Sequence, residues 1–260
     1  MSYYSPAEIA DIFGDVSEKK AKTPFIKFML LAIMGGIFIA LGGLLTVIVA
    51  GGMPTTALEN IGLVKFVAGA LFPVGLIMVS VAGADLFTSD CAGMTLSTMQ
   101  KKTPVSALIK VWILAYFFNF IGAQFVSYFL AYKTGVVTAT PFADYLSALA
   151  YGKLKYDWGT VFLKGIGANM LVCLGTWMGF AAKDIIGKAI GIWIPVMIFV
   201  TIGYEHSIAN MFFIPTAIYN GADITWLQFI CQNLIPATLG NIVGGAVFVG
   251  LIYGYIYPKK

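Results

Sequence analysis

Residues 202–213 read "IGYEHSIANMFF". They place Glu205, the chain's single histidine His206, and Asn210 in a run otherwise apolar enough to sit in a lipid bilayer. A charged residue at the bilayer centre costs about 2.5–3.5 kcal/mol on insertion scales, so such groups face a cavity or a partner and usually mark function. The stretch from Lys188 to Ile218 is also too long to cross about 30 Å of hydrocarbon as one straight helix. It must break, and Glu205, His206 and Ser207 mark the place. Non-helical backbone at that depth is tolerated only where protein buries it or water lines it.

The first half of the chain shows the same need. Leu63 to Gln100 is again too long for one crossing, and Thr88, Ser89 and Asp90 mark its expected break. "GADLFTS" (83–89) echoes "GYEHSIA" (203–209), matching Asp85 with Glu205 and Leu86 with His206, and "ALGGL" (40–44) echoes "CLGTW" (173–177). Paired interruptions at corresponding positions of two halves are the sequence pointer to a site at an inverted-repeat interface.

Composition sets the class. Of 260 residues, 59% are hydrophobic and 11% charged, and the mean hydropathy is +0.87, so the chain is a polytopic membrane protein. Ten-residue alternation of the outer-membrane-barrel kind is missing, and the expected fold is all-α. Six transmembrane helices are expected near 25–50, 63–84, 105–131, 158–181, 188–204 and 227–257, with the second and fifth broken. They divide into halves of about 25–131 and 158–257. Three crossings in the first half force the second to run antiparallel to it.

Residues 1–24 are expected to form a separate amino-terminal segment before a six-helix transmembrane domain of 25–260. Within it "SPAEIADIFGDV" (5–16) reads as an amphipathic helix: Ser5 caps, Pro6 opens the first turn, Glu8 completes a capping box, and Ile9, Ile12, Phe13 and Val16 share a face. It is expected on the cytoplasmic surface or packed on the protein's own cytoplasmic end. No cleaved signal pattern is apparent. All sixteen basic residues are lysine. Lys19, Lys20, Lys22, Lys27, Lys101, Lys102, Lys183, Lys188, Lys259 and Lys260 flank alternate loops and both termini, which places both ends in the cytoplasm. The 132–157 connection breaks the rule by holding Lys133, Lys153 and Lys155 on the external side. The net charge of +4 is scattered over loops, so no nucleic-acid surface is indicated. Cys91, Cys173 and Cys231 lack metal or disulfide spacing and read as small packing residues.

His206 is the first candidate site residue, because imidazole can donate, accept and change charge near neutral pH. Glu205 reads as a structural acceptor for backbone donors freed by the break. Thr88 and Asn169 are neutral groups able to replace part of an anion's hydration shell, or else to bond helix to helix. Lys153 at an external mouth would concentrate anions, with Lys155 and Lys164 as weaker candidates. Phe72, Leu76, Leu86 and Phe199 are core residues unless their segments line a pore, where they become dry constrictions. No catalytic constellation, cofactor motif or metal-ligand set is visible.

"GADLFTSD" (83–90), "FFNFIGA" (117–123), "KGIGANMLVCLGTWM" (164–178) and "GKAIGIWIPVMIFVTIGYEHSIANMFFIP" (187–215) resemble the formate/nitrite transporter family, in order and over nearly the whole chain. Overall likeness is to that family's clostridial hydrosulfide channels. The resemblance implies an aquaporin-like inverted repeat, assembled as a homopentamer in the bacterial inner membrane, with one pore per protomer and no cofactor. Small anions would pass, hydrosulfide first, with formate and nitrite as alternatives. It puts the central histidine at His206 with Glu205 beside it, the pore threonine at Thr88, the pore asparagine at Asn169 and the vestibule lysine at Lys153. The outer constriction would be Phe72, Leu76 and Phe199, and the inner one Leu86. Asp85 stands where the family usually has glutamate, which implies a change in how its loop is pinned. A membrane-embedded oxidoreductase and a conduit for neutral solutes are the competing readings.

Overall fold

A computed structural model describes residues 3–258, so Lys259 and Lys260 lie outside the described residues. All regular structure in it is helical, apart from an isolated bridge between Tyr3 and Ala182. Helix α1 covers Pro6–Ala21, and α2 crosses as Phe25–Gly51. After the short α3 (Pro54–Glu59), the second crossing is made of α4 (Ile61–Leu71) and α5 (Val74–Ala82), followed by a half-helix α6 (Phe87–Met99). The third crossing is α7 (Val105–Tyr132). In the second half, α8 (Phe142–Leu154), α9 (Trp158–Ala181), α10 (Ile185–Ile202) and the half-helix α11 (Ser207–Tyr219) precede the last crossing, α12 (Trp226–Ile256). Six helices are thus long and apolar enough to span a membrane.

Their outward faces identify the solvent they are built for. On α7, Ile109, Ile113, Phe117, Ile121, Phe125 and Phe129 are exposed at every fourth position, and Ile186, Ile190, Ile194, Ile198 and Ile202 repeat the pattern on α10. Such continuous exposed apolar stripes suit lipid or another copy of the chain, not water. Cys231, expected as a packing residue, lies exposed on α12, whereas Cys91 and Cys173 are buried.

Helices cross closely where a side chain is absent. A Cβ on Gly36 of α2 would run into the backbone carbonyl of Asn119 on α7, and one on Gly122 of α7 would meet the Ile33 carbonyl. The second half repeats this, with Gly240 and Gly244 of α12 against the Phe162 and Ile166 carbonyls of α9. Gly36→Val should therefore force two backbones apart at a cost of about 1–3 kcal/mol or more. The checkable outcome is a lower melting temperature of the detergent-purified protein, and an unshifted melt would contradict this packing.

The breaks fall at glycine. Gly83 (φ 80°) and Gly203 (φ 85°) end α5 and α10 in the left-handed region that suits glycine. The chain then runs extended through Leu86 and His206 before α6 and α11 begin. Thr88, Ser89 and Asp90, expected at the first break, instead form the opening turn of α6, while Glu205 and His206 do sit in the second. A further interruption at Phe72–Pro73 separates α4 from α5, because Pro73 brings no N–H to the ladder.

The two halves agree in their hydrogen bonds. Asp85 N–H donates to the Leu31 carbonyl (3.0 Å), and Glu205 N–H to that of Lys164 (3.4 Å). Asn119 of α7 accepts from Phe87 N–H (2.9 Å) and donates to the carbonyls of Asp85 (3.0 Å) and Ala32 (2.6 Å). Asn241 of α12 accepts from Ser207 N–H (2.8 Å) and donates to those of Glu205 (2.9 Å) and Gly165 (2.8 Å). One buried amide in each half thus satisfies both a donor and an acceptor orphaned by the break, as buried backbone requires. The Asp85 loop is held through its backbone and through the contact of its carboxylate with Lys20 (3.4 Å).

Candidate functional site

His206 is the N-cap of α11. Its Nδ1 accepts from Ala209 N–H (3.1 Å), so the ring proton of the neutral imidazole resides on Nε2. Nε2 lies 3.0 Å from Thr88 Oγ1 and donates to it. Thr88 sits in the first turn of α6. The amino-terminal ends of both half-helices therefore meet at this one contact, and each brings partial positive charge to it. Since Thr88 Oγ1 accepts from the ring, its own hydroxyl proton is left to offer to a solute.

Cavities flank the contact on opposite faces of the protein. One, of about 400 Å³, is lined by Lys153, Phe72, Phe199, Phe213, Asn210 and His206 among others, and opens on the face away from α1. The other, of about 380 Å³, is lined by Lys19, Lys20, Lys27, Leu76, Asp85 and Leu86 among others, on the α1 face. Between them Ile39, Phe72, Leu76, Leu86, Val172, Val196, Phe199 and His206 enclose a gap with no room for a water-sized sphere. Phe72 and Phe199 meet edge to face, with centroids 6.0 Å apart, where the gap adjoins the first cavity. Leu76 lines the gap with those phenylalanines and also borders the α1-side cavity together with Leu86.

Lys153 ends α8, and its Nζ lies 3.1 Å from Glu205 Oε2. The same oxygen accepts from the side-chain amides of Asn210 (2.7 Å) and Asn233 (3.2 Å), and Lys164 Nζ is 4.0 Å from Oε1. Glu205 thus binds side chains rather than the freed backbone donors expected of it, which Asn241 takes. Lys155 stands over the Tyr156 ring at 5.1 Å, the ring that Lys164 also covers at 3.7 Å. Asn169 also differs from expectation. Its amide donates to the Thr88 (3.0 Å) and Asn241 (2.6 Å) carbonyls, and it lines none of the three cavities above. With both amide hydrogens spent, it positions the Thr88 backbone and has no N–H left for a solute.

An analogous charged cluster, absent from the sequence reading, lies at the α1 end. Lys20 Nζ is 2.6 Å from Asp90 Oδ1 and 3.4 Å from Asp85 Oδ2. Lys20, Leu31 and Ala32 have the same spacing as Lys153, Lys164 and Gly165, and Asp85 and Asp90 the same as Glu205 and Asn210. Each half is therefore a short helix carrying a lysine, followed by three crossings. This accounts for lysine in the 132–157 connection: α8 is the counterpart of α1. The signal was that shared spacing, which has meaning only once the breaks are aligned. Helix α1 itself is capped as expected, with Glu8 Oε2 accepting from Ser5 N–H (2.7 Å) and its carboxyl held below the usual range by the Ser5 hydroxyl. Ile9 and Phe13 are buried, the latter against Phe180 and against Gly93 of α6.

Comparison with known proteins decides what this architecture belongs to. The family model described as formate/nitrite transporter matches residues 7–255. The chain belongs to the formate/nitrite transporter family. It is 46% identical to a probable formate transporter of Methanothermobacter thermautotrophicus over 100% of this chain and 99% of the relative. It is 37% identical to a formate channel of Bacillus thuringiensis over 100% and 98%. Among solved structures, a formate/nitrite transporter family ion channel superimposes with a TM-score of 0.84 at 27% identity, covering 97% of this chain and 98% of that one. A pentameric formate channel with formate bound superimposes with a TM-score of 0.79 at 33% identity, covering 90% and 98%. This formate/nitrite transporter family member is a multi-pass membrane transport protein, with the all-helical six-span fold expected from its sequence. The likeness to hydrosulfide channels has no counterpart among these relatives.

Proposed function

We propose that the protein is a channel for small monovalent weak-acid anions, with formate the leading permeant and nitrite and hydrosulfide its competitors. The observation that carries this reading is the Thr88–His206 contact between two cavities, with half-helix amino termini converging on it and a lysine at each end. Lys153 draws anions into the outer cavity, as a basic group between low-dielectric walls does. The gap beyond has His206 as the one polar side chain on its wall, with the Thr88 hydroxyl 3.0 Å behind the ring, and no counter-charge among apolar walls. A naked anion there is costly, so the permeant crosses it as the neutral acid, protonated on one side and released on the other. Phe72 with Phe199, and Leu76 with Leu86, exclude hydrated ions. The relatives named as formate channels favour formate over hydrosulfide as the first permeant to test. In this reading the chain assembles as a homopentamer in the cytoplasmic membrane, with both termini and α1 facing the cytoplasm, as the lysine distribution favours.

Uptake by proteoliposomes holding the purified protein tests the reading. Formate, nitrite and hydrosulfide should enter faster than into protein-free liposomes, and chloride, which cannot be carried as a neutral acid at neutral pH, should not. Fast water or glycerol flux without anion uptake would overturn it in favour of a neutral-solute conduit. For Lys153, Lys153→Glu should lower the initial formate rate at low concentration by about tenfold, while Lys153→Arg retains most of it. Equal rates for wild type and Lys153→Glu would make it a surface lysine.

A further inference from the structure

The two charged clusters differ in the extra partners of Glu205, Lys164 and Asn233, and at the position of Asn210. In the outer cluster Asn210 donates its amide N–H to Glu205 at 2.7 Å. Its counterpart in the α1-side cluster is Asp90, which has no amide to donate and stands beside a second carboxylate, Asp85, on the same ammonium. Both aspartates are buried, at 2% and 1% exposure, and Asp85 Oδ1 and Asp90 Oδ2 have no hydrogen-bond donor. Among the described residues Lys20 is the only cation paired with either, so two ionised carboxylates would leave one buried negative charge uncompensated, a costly arrangement. A proton on one aspartate removes the excess charge and supplies the O–H that does what the Asn210 amide does in the other half.

We propose that Asp85 and Asp90 form a proton-binding site, holding one exchangeable proton between them and thereby setting the charge of the α1-side mouth. With the proton bound, Lys20 and the remaining carboxylate cancel. When the proton leaves to water, the mouth carries one net negative charge and repels an approaching anion. Lys19 and Lys27 on the wall of the same cavity, and Lys110 on α7 near Lys20, moderate the change without touching either aspartate. The other titratable groups packed about α6 here include the buried thiols of Cys91 and Cys173 and, beyond its carboxyl end, the Asp15–Lys102 ion pair (2.7 Å), whose charges cancel. Trp112 donates its ring N–H to the Asp90 carbonyl (3.0 Å), which fixes the backbone and leaves the carboxyl free to titrate. Asp85 borders the α1-side cavity, which gives the proton its route to solvent.

The effect on flux rests on the anion-channel reading above; the proton site does not. Infrared difference spectra of the full-length protein in lipid, recorded across a pH titration, should show a protonated carboxylic acid that is absent from Asp90→Asn and from Asp85→Asn. In proteoliposomes, the wild-type and Asp90→Asn formate rates should match at low pH on the α1 side. As that pH rises past the infrared transition, the wild type should fall to about one fifth of the variant, the effect of adding one unit charge near the permeant. Absence of the acid band at every pH, or a rate ratio that does not move with pH, would overturn the proposal. An acid band with no anion flux in the wild type would instead sink the channel reading and leave the proton site standing.

Discussion

His206→Leu is expected to abolish most transport, lowering formate uptake by about 10- to 100-fold, the consequence of losing a donor worth about 1–3 kcal/mol in a buried setting. Leucine removes both ring functions at once: the Nε2 donor to Thr88 and the Nδ1 acceptor for Ala209 N–H. Loss of the cap alone should cost about 0.5–2 kcal/mol of stability, so a second variant is needed to separate fold from function. His206→Asn keeps an acceptor at a position where asparagine caps well, but its amide is too short to take the place of Nε2 beside Thr88. It should therefore melt close to the wild type and still transport slowly. Initial rates together with melting temperatures check this. Wild-type rates in His206→Asn would show that the histidine serves as a cap and nothing more.

Glu205→Ala should produce the largest loss of stability. The carboxylate is buried, faces Lys153 at 3.1 Å and is the common acceptor for Asn210 and Asn233. Its removal strands a mostly buried ammonium and two amides, and breaking a buried pair in this way costs about 3–5 kcal/mol. On the scaling of melting temperature with stability, that corresponds to a fall on the order of 10 °C. Glu205→Gln keeps the shape and one acceptor oxygen, so it should melt between the two. Removing both charges with Lys153→Met and Glu205→Gln together should recover part of the loss, because the Lys153 charge is then no longer stranded and only Lys164 lacks its partner. If Glu205→Ala melts like the wild type, Lys153 is not held by this carboxylate.

Much of this molecule was legible before its structure. Length and hydropathy place six crossings within a few residues of their observed bounds, and the echo of "GADLFTS" in "GYEHSIA" marks the two interruptions that bring Thr88 to His206. Polarity points to a first break several residues too late, since the backbone turns at Gly83, whose left-handed φ a glycine adopts freely. Pro73 carried its own warning of an interruption. The parts that could not be read depend on knowing which groups the breaks leave unpaired. Asn119 and Asn241 look alike in any apolar span until Phe87, Ser207, Asp85 and Glu205 need partners. Asn169 had the right residue type for a pore, and only the position of the Thr88 carbonyl shows that its donors are already committed. Lys20 was counted as an orientation signal, although its spacing to Leu31 repeats that of Lys153 to Lys164.

In the proposed channel, the path across the gap depends on Thr88 offering its hydroxyl to a passing acid while His206 holds its oxygen. Thr88→Val keeps the shape and deletes that hydroxyl, so stopped-flow formate uptake by Thr88→Val proteoliposomes tests the mechanism most directly. Uptake at least about tenfold slower than wild type, as expected for one lost hydrogen bond in a dry site, with protein folding unchanged, is the predicted result. Formate uptake in Thr88→Val equal to that of the wild type would contradict it.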